Sequence, residues 1–173
     1  MSFGISVEGL ASLRQRVNAM KQASSNLEPA YLRAGMVVLR AAKDHIKSGA
    51  GDQGPWAPNQ TGTPLLFRTG RLINSLTING PDSVTNLTSG GIEVGTNLPY
   101  AAWNQQGTGI YGARGTRIFP TTKKALAFNG FVVKSIAGTP PRRFLYIDDA
   151  QAQIIRGVFA AYILANPMPN EGT

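Results

Sequence analysis

Residues 125–134 read Ala125-Leu126-Ala127-Phe128-Asn129-Gly130-Phe131-Val132-Val133-Lys134. Two apolar runs flank an Asn-Gly pair, which tolerates the positive φ angles of a type I′ turn and so closes a two-residue β-hairpin. Opposing Phe128 to Phe131 also opposes Leu126 to Val133. Strand side chains alternate, so Leu126, Phe128, Phe131 and Val133 share one face, and Ala125, Ala127, Val132 and Lys134 the other. The first is the expected core face, within a small antiparallel sheet.

Beyond the hairpin, Pro140 and Pro141 end the sheet region. Asp148 is a good N-cap with Gln151 three residues on, the pattern of a capping box. The helix it starts is expected to bury Ile154, Ile155, Val158, Phe159, Tyr162 and Ile163, and to stop at Asn166-Pro167. Before the hairpin, Ile92–Gly95 reads as a short strand and Tyr100–Gln106 as one or two helical turns. Residues 65–78 read as a turn followed by strand-like alternation. Residues 48–64 carry Gly or Pro too densely for regular structure, with Trp56 as the pin that holds them down.

The N-terminal third is helical. Leu10, Leu13, Val17 and Met20 recur at spacings of three and four, one face of a helix over about Glu8–Met20. Pro29 suits the first turn of a second helix. That helix carries one stripe of Leu32, Met36, Leu39, Lys43 and Ile46. A second, small-residue stripe of Ala30, Ala34, Val37 and Ala41 implies that it is sandwiched. Helices, then strands, then a helix give an α+β class: N-terminal helices and a C-terminal helix packed on a small antiparallel β-sheet. The expected organisation is a single domain over 1–166, with 107–124 a flexible basic loop inside it and 167–173 a loose tail.

Composition narrows the function. Charged residues make up 15 % of the chain, against roughly 25 % in an average soluble domain, so part of the surface is free to be buried against partners. The chain has no cysteine, which excludes disulfides, thiolate metal sites and cysteine nucleophiles. There is no signal-peptide pattern at the start and no run of the ~20 apolar residues that a membrane span needs. Folding in a cytoplasm, with no membrane partner, is the expectation.

A search for chemistry finds little. His45 is the only histidine; near the end of the second helix, it reads as an imidazole favoured by the helix dipole. Asp148 and Asp149 are the only adjacent acids, and capping accounts for them. No histidine partners a serine in the manner of a triad. Gly107-Thr-Gly109-Ile-Tyr-Gly112 fits G-x-G-x-x-G, but no strand precedes it, no helix follows and no acid lies within the next 20 residues. No catalytic residue, cofactor or metal is expected.

The net charge of +8 is unevenly placed. Residues 94–147 hold Arg114, Arg117, Lys123, Lys124, Lys134, Arg142 and Arg143 and no acid. With Tyr111 and Phe119 interleaved, this segment suits an acidic protein surface or a nucleic-acid backbone with bases to stack. Tyr111, Arg114, Arg117, Phe119, Lys123 and Lys124 are the candidate assembly-interface residues.

An ordered set of segments then resembles a known family. These are Gly54-Pro-Trp56-Ala-Pro58, Leu66-Phe-Arg-Thr-Gly-Arg-Leu-Ile-Asn-Ser75, Val94-Gly-Thr-Asn-Leu-Pro-Tyr-Ala101, Gln106-Gly107 and Pro140-Pro-Arg-Arg-Phe-Leu145. Together they resemble the phage virion-morphogenesis and tail-completion (neck) family. The run Phe119–Phe128 is similar to related phage neck and tail-component proteins. The resemblance covers about residues 30–165. It implies a non-enzymatic virion protein, assembled in the host cytoplasm. Such a protein forms a homo-oligomeric ring, usually a hexamer, that meets the head connector and the tail tube. The alternatives are a nucleic-acid-binding phage module using the 107–124 loop, with non-specific DNA contact, and a host-directed phage factor.

Overall fold

The computed structural model describes residues 10–58, 65–122, 125–128 and 131–165. Helices at both ends and small antiparallel sheets between them make an α+β fold. The expected tail 167–173, Lys123, Lys124 and the Asn129-Gly130 turn lie outside the described residues, as do the side chains of Phe128 and Phe131.

Helix α2 (Glu28–Ser48) is the axis of the molecule. Pro29 occupies its first turn, and at its end Gly49, in the left-handed region, donates its N–H to the His45 carbonyl at 3.0 Å. One side packs on α5 (Asp149–Ala165), the other on the hairpin of β3 (Ser83–Thr88) and β4 (Gly91–Thr96). The small residues make both contacts possible. Ala30, Ala34, Ala41 and Ala42 are buried, and a Cβ on Gly35 would stand 3.0 Å from both Ile92 and Val94. Of the larger stripe, Leu39 and Ile46 are buried while Met36 is exposed.

Helix α1 runs Leu10–Ser25, longer than its apolar period. The stripe of Leu13, Val17 and Met20 faces solvent, and Ala19 and Ala23 are the buried residues. Helix α1 meets α5, and alanines let two helix backbones approach closely, leaving the bulkier stripe without cover.

The expected strand before Ile78 is corrected. Arg71–Ser75 is a short helix, α3, entered through Gly70 at φ +71°. Leu72, Ile73 and Leu76 are all buried, a spacing of one and four that a helix satisfies and a strand does not. Strand β3, which the sequence reading passed over, pairs with β4 in full register from Ser83↔Thr96 to Thr88↔Gly91. The 48–64 loop contains a minimal pair, β1 (Ala50–Gly51) with β2 (Gly54–Pro55). Trp56 does pin it, packing half-buried on the core.

The Asn-Gly hairpin has the expected register. Strand β5 (Leu126–Phe128) pairs with β6 (Phe131–Val133), Leu126 opposite Val133 and Ala127 opposite Val132. Leu126 and Val133 are half-buried, whereas Ala127 and Val132 are exposed, in keeping with the alternation at those four positions. Strands β5 and β6 form a two-stranded sheet of their own. The core cluster joins Leu39, Ala42 and Ile46 of α2 to α3, to Leu98 and Ala101 at the start of α4 (Pro99–Gln106), and to Phe144.

Helix α5 begins as predicted. The Gln151 N–H donates to Asp148 Oδ1 at 2.8 Å, and the Asp148 N–H donates to Gln151 Oε1 at 2.9 Å. Its expected buried face is only half-covered. Ile155, Val158, Phe159, Tyr162 and Ile163 are intermediate, Ile154 is exposed, and no residue of the helix is fully buried.

Candidate assembly surface

Residues 139–146 form one extended strap, whose Phe144 shares the core cluster with Leu72, Ile73, Leu98 and Ala101. Three other elements hold it. From α4, the Gln105 side chain accepts from the Phe144 and Leu145 N–H groups, each at 3.1 Å, and donates to the Leu145 carbonyl at 2.8 Å. The Asn104 carbonyl accepts from the Arg142 N–H at 2.6 Å. From α2, His45 Nδ1 lies 2.9 Å from the Phe144 carbonyl. A carbonyl only accepts, so Nδ1 carries the proton. The imidazole also stacks on Tyr146, with centroids 4.2 Å apart and planes 7° from parallel. His45 is therefore a clamp on the strap. From the β1–β2 turn, Asp52 pairs with Arg143 at 3.2 Å. A Cβ on Gly51 would stand 2.7 Å from both the Arg143 carbonyl and Trp56.

A second junction ties α3 to the β3–β4 hairpin. Arg71 grips Asp82 through two hydrogen bonds, Nε to Oδ2 at 2.8 Å and Nη2 to Oδ1 at 3.1 Å. The hydrogen bond holds the Asp82 carboxyl below its ordinary range and raises the Arg71 guanidinium. The buried Ser75 hydroxyl donates to Thr96 Oγ1 at 2.7 Å. Thr96 in turn caps the entry to α4 by accepting from the Leu98 N–H at 3.2 Å. No group of three or more acidic, histidine or cysteine side chains fit to hold a metal ion occurs among the described residues.

Residues 107–118 are built differently from a free loop. Thr108 and Thr139 exchange hydrogen bonds, Ile110 donates to the Ala137 carbonyl at 2.8 Å, and Ile118 and Ile136 form a two-way bridge. The glycines serve this close approach. At Gly109 a Cβ would collide with the Ala137 carbonyl, and at Gly138 with that of Thr108; both have positive φ. The G-x-G-x-x-G match is thus a backbone contact between two chain segments.

The basic segment divides into two roles. Arg142 is buried, with Nη2 3.4 Å from the Ala57 carbonyl, and burial pushes its guanidinium below the ordinary value. Arg143 is taken by Asp52. Arg117 donates from Nε to Ser135 Oγ at 2.9 Å while staying exposed. Arg114 is exposed in a turn. Phe119 is 61 % and Tyr111 46 % exposed, and Trp103, Ile110 and Val132 are exposed with them. Of the six candidate residues, four are described, and all four are exposed in segments joined to residues 135–139. Exposed aromatics beside arginine are the composition of a protein interface. Trp103 and Val132 were missed because a helix or strand period assigns them to no buried face.

No helix is long and apolar enough to cross a membrane among the described residues. Comparison with protein-family models, curated proteins and solved structures finds no match.

Proposed function

We propose that this chain is a structural virion protein of a tailed phage. It completes or joins the tail at the head–tail interface, as one subunit of a homo-oligomeric ring. The observation that carries the reading is the exposure of Tyr111, Arg114, Arg117 and Phe119 on a segment whose backbone and Arg117 are hydrogen-bonded to residues 135–139. Exposed aromatics beside arginine suit a protein contact, and Arg114 and Arg117, in a stretch with no acid from 94 to 147, suit an acidic partner surface on the connector or tube. The family resemblance supplies the biological setting. Several of its motif residues, Leu72, Ile73, Leu98, Ala101 and Phe144, pack together in the core.

Electron microscopy and sedimentation of the purified chain provide the test. Closed rings, most simply sixfold, are expected. Virions assembled without the chain should accumulate as separate heads and tails. A chain that stays monomeric at high concentration but binds duplex DNA, with affinity falling steeply as salt rises, would instead favour the nucleic-acid reading.

A further inference from the structure

We propose that residues 108–118 and 135–139 form a paired stem that opens and closes as one unit, hinged at Gly107 and Pro140, while the body of the fold stays closed.

The stem is tied to itself and not to the body. At its base the Thr108 N–H donates to the Thr139 carbonyl at 2.9 Å, and the Thr139 N–H donates to Thr108 Oγ1 at 2.9 Å. Further out, Ile110 donates to the Ala137 carbonyl at 2.8 Å, Ile118 and Ile136 exchange bonds of 2.9 and 3.0 Å, and Arg117 reaches Ser135. The turns between these pairs close internally, Tyr111 on Thr108, Gly112 on Gly109 and Gly115 on Gly112. Among the described residues, every hydrogen bond made by 108–118 and 135–139 ends within those two segments.

Burial changes at the same boundary. Gly107, Arg142 and Phe144, which flank the stem, are buried, whereas no residue of 108–118 or 135–139 is. The core cluster takes Leu98 and Ala101 from one side and Phe144 from the other, and none of the stem residues. Units with few buried apolar contacts open at a lower free energy than the core they are joined to.

The chain supplies both a hinge and a latch. Gly107 ends α4 at φ +77°, and a Cβ there would stand 2.9 Å from the Tyr111 carbonyl and 3.1 Å from Pro141 Cδ. Hinges are a few such element-terminal positions that absorb a backbone rotation. The latch is the approach of Gly109 to Gly138. A Cβ on Gly109 would collide with the Ala137 carbonyl, and one on Gly138 with the Thr108 carbonyl. Tyr111, Arg114 and Arg117 ride on the stem, and its internal turns keep their spacing as it moves. On the assembly reading above, the surface can then turn toward a partner about the hinge without unfolding.

Native-state hydrogen exchange of the purified chain tests the unit without any assembly. The Ile110, Ile118 and Ile136 amides should share one protection factor, at least about tenfold below that of the Arg142 and Phe144 amides. Gly109→Ala should lower all three together and leave Arg142 and Phe144 unchanged, with a melting temperature within about 3 °C of the parent's. A staple gives the converse. Ile118 and Ile136 exchange both bonds, which places their Cα atoms within disulfide range, and the chain has no cysteine to compete. Ile118→Cys with Ile136→Cys, oxidised, should raise protection at Ile110, because a bond at the far end holds the whole stem. Equal protection of stem and strap in the parent would overturn the proposal. So would strap amides that accelerate with the stem in Gly109→Ala, or an Ile110 amide indifferent to the staple. Each of those results leaves the assembly reading standing. A chain with this opening that never forms rings would sink that reading and keep the stem.

Discussion

Residues 139–146 and residues 110–119 are equally poor in regular structure, yet they are built in opposite senses. The strap points inward. Phe144 is among the most deeply buried side chains, and Gln105 and His45 take up backbone groups that no helix or strand serves. The 110–119 segment fixes its backbone against 136–137 and turns Tyr111, Arg114 and Phe119 outward. An unpaired backbone group in the interior is costly, so an irregular segment is buried only where side chains satisfy it. Where the backbone partner lies behind the segment, the side chains are left available for another molecule.

The largest effect should separate the two aromatics. Phe144→Ala should cost roughly 3–5 kcal/mol, the range for a buried Phe, and Phe119→Ala no more than about 0.5 kcal/mol. Urea titration of both variants measures it. Comparable losses would mean that the 110–119 segment belongs to the core and the comparison fails.

Gln105→Leu comes next. It keeps the side-chain volume and leaves the Phe144 and Leu145 backbone groups without their partner, a loss of about 2 kcal/mol. Faster hydrogen exchange at those two amides should accompany it, with Ile110 and Ile118 unchanged. Uniform acceleration would show that strap and surface open as one unit.

His45→Gln should cost about 1 kcal/mol, through the lost stack on Tyr146 and a weaker bond to the Phe144 carbonyl. Ring formation should be unaffected, because the imidazole faces the strap and has no assigned chemistry. Loss of a bound metal or of an activity in this variant would end the non-enzymatic reading.

The Arg71–Asp82 pair tests an exposed junction. Its pKa is depressed on folding, so its contribution is complete above the ordinary carboxylate value of 3.8 and is lost as pH falls through the lower folded value. Carboxyl titration by NMR should find Asp82 below 3.8 in the parent and back near it in Arg71→Ala. An unshifted Asp82 in the parent would show that the two hydrogen bonds do not persist in solution.

Much of this was legible in the residues and some was not, for physical reasons. Elements with their own local signal were readable: Pro29 at a first turn, the Asp148–Gln151 box, the Asn-Gly register. Leu72, Ile73 and Leu76 were misread because five residues hold too few turns to tell a helix period from alternation. The strap was taken for a break, since prolines and paired arginines have no period; what orders it is Gln105, 39 residues away from Phe144 in the chain. Four glycines in 107–115 suggested freedom, but a positive φ and a backbone in contact require glycine just as strongly. The stripe on α1 was read correctly as a stripe. The period marks a face without saying what covers it, and Leu13, Val17 and Met20 are exposed.

The smallest effect on stability should be the largest on assembly. Arg114→Ala leaves an exposed turn, and Arg117→Ala removes hydrogen bonds to Ser135 that water can replace, so each should shift stability by no more than about 0.5 kcal/mol. If the 110–119 surface meets an acidic partner, the double variant should fold and form rings. It should nevertheless join heads to tails poorly, and the defect should deepen as salt screens the remaining charge. Arg117→Lys would separate charge from geometry: a lysine keeps the cation but not the fork that reaches Ser135. Rescue by lysine means that the partner reads charge, and failure means that the Arg117–Ser135 contact sets the surface. Joining at parental levels in the double variant, with weakened and less salt-sensitive DNA binding, would move these arginines from the assembly surface to a nucleic-acid contact.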